Sequence, residues 1–121
     1  MGIRIIKQSA AAEGLAAQGP VGRPLGDTVA QMSGIDVALA GAGGNDSGIW
    51  ECTPGRFRRQ IDNAEVMHIL AGACTFTPEG GEPLQIAAGD TLFFPSHTVG
   101  VWEITETLRK VYVVFALPQG E

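Results

Sequence analysis

The chain has 121 residues, about the length of one domain, and 45% of them are hydrophobic, enough to fill a core. The net charge is −5, and basic residues cluster only at Arg56, Arg58 and Arg59, which argues against a nucleic-acid-binding face. The longest apolar run, 111–117, is too short to cross a bilayer, so we expect no membrane partner.

The chain contains two cysteines, Cys52 and Cys74. The apolar run after Met1 is interrupted at Lys7, too early for the core of a secretory signal. We therefore expect a cytoplasmic, reducing location in which both thiols are free. Each is expected to serve as a small buried hydrophobe.

Residues 1–44 are predicted to form an N-terminal arm with irregular structure and one or two strands. Within it, 3–7 is apolar enough for a short strand, and the Ala-rich stretch 8–20 allows a brief helical turn. A further strand is expected near 35–39, before a loop rich in Gly, Asn and Asp.

Residues 45–117 are predicted to form an all-β domain, because turn residues recur between short apolar runs. The predicted strands are 48–53, 57–61, 65–71, 73–77, 83–86, 91–95, 99–104 and 109–117. About eight strands at a spacing of roughly 8–12 residues are typical of a sandwich or a barrel.

Two short motifs lie on these strands. Glu65 is followed after six residues by Gly72, and Gly89 is followed after five residues by Pro95. In this order they resemble the end of one cupin signature, G-x5-H-x-H-x3/4-E-x6-G, and the start of the other, G-x5-P-x-G-x2-H-x3-N.

The flanking segments sharpen the resemblance. The segments 48–55, 101–103 and 109–114 resemble small single-domain cupins similar to the cupin domain of (S)-ureidoglycine aminohydrolase. The resemblance implies an RmlC-like cupin β-barrel, a jelly roll also described as a double-stranded β-helix.

In metal-dependent cupins, two His and one Glu of the first signature and one His of the second bind a divalent ion. In this chain the histidine slots fall on Arg59 and Ile61, or with the longer spacer on Arg58 and Gln60, and on Gly100. Neither pair can replace two imidazoles, because guanidinium is cationic and Ile carries no lone pair, so only Glu65 remains of the four ligands of the family. We therefore expect no metal and no other cofactor.

The two histidines of the chain lie elsewhere. His68 is three residues after Glu65, so an inward Glu65 places it on the opposite face of the strand. His97 falls in a turn, at the surface or rim. A metal site rebuilt from Glu65 and His97 is the alternative.

Alternation along the strands selects candidate pocket residues. Lys110 and Tyr112 share one face of the last strand and Val111 and Val113 the other, so periodicity leaves open which pair points inward. The resemblance to an Arg-Lys-x-Tyr strand favours Lys110 and Tyr112. The candidate catalytic residues are Glu65, Lys110 and Tyr112, and the candidate ligand-binding residues are Trp50, Arg58, Gln60, Met67 and Trp102.

The sequence thus predicts a cupin that binds a small polar or anionic metabolite without a metal, with catalysis left open. One alternative is a metal-dependent enzyme similar to ureidoglycine aminohydrolase with a non-standard site. The other is a non-catalytic binding or regulatory module. Separately, Glu65 and a cation could form an ion pair of purely structural importance, with the tryptophans serving as packing. We also expect a homodimer, because the edge strands of an open barrel need covering.

Overall fold

The computed structural model describes residues 2–116, which form nine strands and one short 3-10 helix, Ser9–Ala11. The strands are β1 Ala16–Pro20, β2 Pro24–Leu25, β3 Gln31–Asp36, β4 Asp46–Cys52, β5 Gly55–Ile61, β6 Glu65–Pro78, β7 Leu84–Ala87, β8 Thr91–Phe94 and β9 Thr98–Val114. Within this range, no helix has the length and hydropathy needed to cross a membrane.

The fold is organised around β6 and β9, which pair antiparallel along almost their whole length. The first half of β9 pairs with β5 and its second half with β4, while β6 pairs with β8 and then with β7. Strands β3 and β1 extend the sheet beyond β4, and β2 extends it beyond β5. Because the two long strands change partners midway, the sheet curls around one core, as the predicted barrel requires.

A bulge at Gly72 produces the bend of β6. Gly72 has φ +90°, and a Cβ at this position would lie 2.1 Å from the carbonyl oxygen of Thr107 on β9. The register with β9 shifts on both sides of this glycine. Consequently Met67 and Ile69 point inward before the bulge, and Cys74 and Phe76 point inward after it. In a regular strand the odd step from Ile69 to Cys74 would have placed the two pairs on opposite faces.

Several predicted strand boundaries were wrong. The runs 65–71 and 73–77 form the single strand β6, because Gly72 bends the chain without ending it. The runs 99–104 and 109–117 join as β9, and residue 117 lies outside the described residues. The strand expected at 35–39 instead occupies 31–36. The buried inward position of this strand is Gly34, which has no apolar side chain, so the alternation of apolar and polar residues is not visible in the sequence.

The segment before residue 45 contributes three strands to the sheet, where the sequence predicted one or two. The predicted helical turn is confirmed at Ser9–Ala11, but residues 3–7 are not a strand. Instead, Arg109 anchors this part of the chain by donating from Nη1 to the carbonyl oxygens of Ser9 (2.9 Å) and Ala12 (2.8 Å). Ile3, which precedes this anchor, is 94% exposed.

Candidate functional site

A cavity of about 420 Å³ opens between β4, β5, β6 and β9. Six of the eight residues predicted as catalytic or ligand-binding line it: Trp50, Gln60, Glu65, Trp102, Lys110 and Tyr112. Strand alternation brings five of them together, because Trp50, Glu65, Trp102, Lys110 and Tyr112 lie on the inward faces of their strands. Gln60 lies on the other face of β5 and reaches the cavity only at its rim. The structure thus brings most of the predicted set together in one place.

The floor of the cavity is an ion pair between Lys110 and Glu65. Lys110 Nζ lies 2.9 Å from Glu65 Oε2, and each side chain is only 11% exposed. The same ammonium is 3.6 Å from the sulfur of Met67, which is fully buried and lies beneath the pair without lining the cavity. Burial lowers the pKa of Lys110, and the charge of Glu65 opposes that shift.

Aromatic rings surround the lysine on its remaining sides. Its Nζ lies 4.7 Å from the ring centroid of Trp50, 5.8 Å from that of Tyr112 and 5.9 Å from that of Trp102. Such distances allow cation–π attraction. Periodicity left the orientation of β9 open, and the structure turns Lys110 and Tyr112 inward and leaves Val111 40% exposed.

Arg59, and not Arg58, points into the cavity. Arg59 lies on the same face of β5 as the buried Phe57, with its guanidinium 5.4 Å from that ring. Arg58 lies on the opposite face, where its Nη2 pairs with Glu79 Oε2 at 2.7 Å. The prediction that Arg58 lines the pocket was therefore wrong. Counting in steps of two from the apolar Phe57, which is expected to point inward, would have selected Arg59.

The rim is polar, and sequence reasoning missed part of it. Gln60 is exposed there and donates to Asp62 Oδ1 at 3.0 Å. The hydroxyl of Tyr112 lies 3.5 Å from Asp36 Oδ1. Burial and the nearby charges of Asp36 and Asp46 raise the pKa of Tyr112. Asp46 gave no sequence signal, because it follows a glycine-rich loop that hides where β4 begins.

The residues at the cupin metal slots do not fit a divalent cation. Glu65, the one ligand residue of the family that is kept here, already accepts a hydrogen bond from the ammonium of Lys110. Arg59 and Ile61 occupy the cavity wall at the two histidine slots of the shorter spacer. At the third slot, Gly100, a Cβ would lie 2.5 Å from Cζ of Phe76, so an aromatic ring fills the space that a histidine needs.

Neither histidine restores a ligand set. His68 is exposed on the outer face of β6, as predicted, and its Nδ1 lies 2.7 Å from Thr91 Oγ1. His97 is exposed in the turn before β9 and does not line the cavity. Across residues 2–116, no three His, Cys, Asp or Glu side chains are grouped closely enough to hold a metal ion.

Both cysteines are buried and free, as predicted, and we expect them to be unreactive in the native state. Burial raises the pKa of Cys52 to about 11 and that of Cys74 to about 12. Compared with an ordinary thiol of pKa 9.0, the thiolate fraction at neutral pH falls about 100-fold for Cys52 and about 1,000-fold for Cys74. Titration with a disulfide reagent should detect no thiols in the native protein and two in guanidinium chloride. Rapid labelling of either thiol without denaturant would contradict its burial.

Sequence comparison identifies the family. The profile of the EutQ-like cupin domain matches residues 39–112, more than half of the chain. A DUF861-family protein from Thermotoga maritima is 34% identical, with a TM-score of 0.54, and the match covers 55% of this chain and 76% of that one. No curated protein matches the chain.

Other solved structures support the same fold. A DUF861-family protein of unknown function from Pseudomonas syringae has a TM-score of 0.76 at 24% identity over 87% of this chain, but the match covers only 45% of that protein. The EutQ protein of Clostridium difficile has a TM-score of 0.62 at 15% identity, with 71% of this chain and 68% of that one covered. With the curled sheet and the profile match, these likenesses confirm the predicted cupin fold, and the chain is a member of the EutQ-like cupin family.

Proposed function

We propose that this cupin binds a small polar or anionic metabolite in its barrel mouth through side chains instead of a metal ion. The observation that carries the proposal is the Glu65–Lys110 pair at the floor of an open cavity. Removing two charges from water costs several kcal/mol per ion, which is on the order of the energy that their mutual attraction contributes. Stabilisation of the fold is therefore a weak explanation for a buried ion pair. A polar floor beneath a concave aromatic wall is, however, typical of small-molecule sites.

The walls of the cavity support the same proposal. Both tryptophans of the chain, Trp50 and Trp102, line it, together with Tyr112. Flat aromatic surfaces supply apolar contact area for a ligand, and the charged floor supplies orientation. Glu65, Lys110 and Tyr112 are the groups within the cavity that would exchange protons with a bound ligand if the site is catalytic.

The finer resemblance to ureidoglycine aminohydrolase suggests one ligand class. Ureido acids combine a carboxylate with neutral N–H donors, and the cavity offers both cationic and acceptor groups to them. Hydrolysis of such a compound by the metal mechanism is not part of the proposal, because the slots carry Arg59, Ile61 and Gly100.

Tryptophan fluorescence provides a direct test, because both fluorophores lie at the site. We expect at least one compound in a panel of small carboxylates, ureido acids and amines to change the emission and raise the melting temperature. A ligand present at 100 times its Kd stabilises the native state by about 2.7 kcal/mol. The same mixtures, followed by NMR for conversion, report any catalysis.

Two controls make the result specific. Lys110→Met should abolish the response, and dialysis against a chelator should leave it unchanged. Binding that disappears with the chelator and returns with a divalent metal would overturn the metal-free proposal in favour of the metal-dependent alternative. If no compound in the panel changes the emission or the melting temperature of the native protein, a non-catalytic role without a small-molecule ligand is favoured.

A further inference from the structure

The guanidinium of Arg59 forms no direct ion pair among residues 2–116. The ion pairs in this part of the chain join Arg58 to Glu79, Arg109 to Glu51 and Lys110 to Glu65. The guanidinium of Arg59 instead lies 3.7 Å from the sulfur of Met32 and over the ring of Phe57. A thioether and an aromatic face are weak partners for five N–H donors, so most of its hydrogen-bonding capacity is left for a ligand.

The inner part of the cavity consequently carries excess positive charge. Glu65 is the one acidic side chain there; it pairs directly with Lys110 and also attracts Arg59, so one negative charge faces two positive charges. The positive charge of Arg59 further lowers the pKa of Lys110, which places the two cations within electrostatic reach of each other. An anion bound at Arg59 would relieve that repulsion.

The rim has the opposite sign. Asp46 and Asp62 line the outer part of the cavity and are exposed to solvent. Their charges are partly screened there, but they disfavour a ligand with two or more negative charges. The cavity therefore suits a single negative charge placed deep inside, near Arg59.

We propose that Arg59 anchors one carboxylate of the ligand, and that the ligand is a small monocarboxylate. The inference rests on the proposed function and narrows it to a chemical class and a residue. A guanidinium binds a carboxylate through two parallel N–H···O bonds, which fixes the orientation of the bound molecule as well as its charge.

Three probes of similar shape and different charge test the assignment by tryptophan fluorescence: benzoate, benzamide and benzylamine. We expect benzoate to bind at least about tenfold more tightly than the neutral amide, since hydrogen bonds to charged groups contribute about 1.5–3 kcal/mol. Benzylamine should bind most weakly, because the inner cavity is cationic. Inorganic phosphate, a mixture of the monoanion and the dianion at neutral pH, should bind less tightly than benzoate, because the acidic rim disfavours a second negative charge.

The adjacent arginine supplies the matched control. Arg59→Gln should raise the Kd for benzoate by about 10- to 100-fold and remove its preference over benzamide. Arg58→Gln makes the same chemical change on the opposite face and should leave both affinities as in the wild type. The melting temperature of Arg59→Gln should be unchanged or higher, since the variant removes a cation facing Lys110.

Distinct outcomes separate the two proposals. If benzoate fails to bind, if benzamide matches it, or if the two arginine variants behave alike, the carboxylate anchor is overturned while another panel ligand can still support the proposed function. Tighter binding of phosphate would overturn the assignment to a monocarboxylate. If neither these probes nor any panel compound changes the emission, both proposals fail together.

Discussion

Glu65→Gln should lower the free energy of unfolding by about 3–5 kcal/mol, because it leaves the ammonium of Lys110 buried without a counter-charge. The lysine can limit this cost by losing its proton. Removing the proton of a lysine with the ordinary pKa of 10.5 costs about 5 kcal/mol at neutral pH, which sets the upper end of the range. The three rings around Nζ reduce the loss, since cation–π contacts persist in the variant.

A double-mutant cycle separates the pair from its surroundings. Lys110→Met keeps an unbranched side chain next to the sulfur of Met67 and removes the charge. The combination Glu65→Gln/Lys110→Met should recover most of the lost stability, because paired buried charges can be replaced together at little cost. Urea unfolding of the wild type, both single variants and the double variant gives the coupling energy.

The exposed pair Arg58–Glu79 is the control for this cycle. Its side chains are 42% and 66% exposed, so Glu79→Gln should change stability by less than about 1 kcal/mol. A similarly small effect of Glu65→Gln would contradict the burial of the Lys110 pair. A double variant no more stable than Glu65→Gln would show that the loss comes from Glu65 packing and not from the stranded ammonium.

Much of the fold and part of the cavity lining can be predicted from strand periodicity in the sequence. The inward positions of Glu65, Met67, Trp102 and Ile104 follow from alternation once one residue on each strand is fixed. Alternation fails where β6 bulges at Gly72, because the inward-facing positions change from odd-numbered to even-numbered residues there. The alternation of apolar and polar residues in the sequence does not reveal where such a bulge occurs.

The orientation of Lys110 required the three-dimensional pairing, whereas the family signature alone left open the choice between Arg58 and Arg59. On β9, Val111 and Val113 look like core residues, but the outer face of this sheet is itself apolar and partly covered by the N-terminal segment. On β5, the variable spacer of the first signature allows either arginine in a histidine slot. The register that pairs Arg59 with Gly100 decides between them. The homodimer, the cytoplasmic location and the absence of a cofactor stay predictions.

Trp102→Ala should lower the free energy of unfolding by about 3–5 kcal/mol, the usual cost of truncating a buried aromatic side chain. Trp102 is 4% exposed, and its ring centroid lies 4.7 Å from that of Phe76. It also stacks on Phe94 at 5.7 Å with an interplanar angle of 8°. Truncation would open a cavity between the two halves of the curled sheet, which urea unfolding would detect as a lower midpoint.

Trp50 lines the same cavity as Trp102 but is less buried. Trp50→Ala therefore tests whether this side chain contacts the ligand or only packs against the core. Trp50 is only partly buried, and its ring centroid lies 4.7 Å from Nζ of Lys110, so we expect a loss of about 1–2 kcal/mol in stability. Ligand affinity should nevertheless fall, and the remaining Trp102 still reports binding by fluorescence. Equal stability losses in the two variants, with affinity unchanged in Trp50→Ala, would assign both tryptophans to packing. The binding site would then reduce to the charged floor and Arg59.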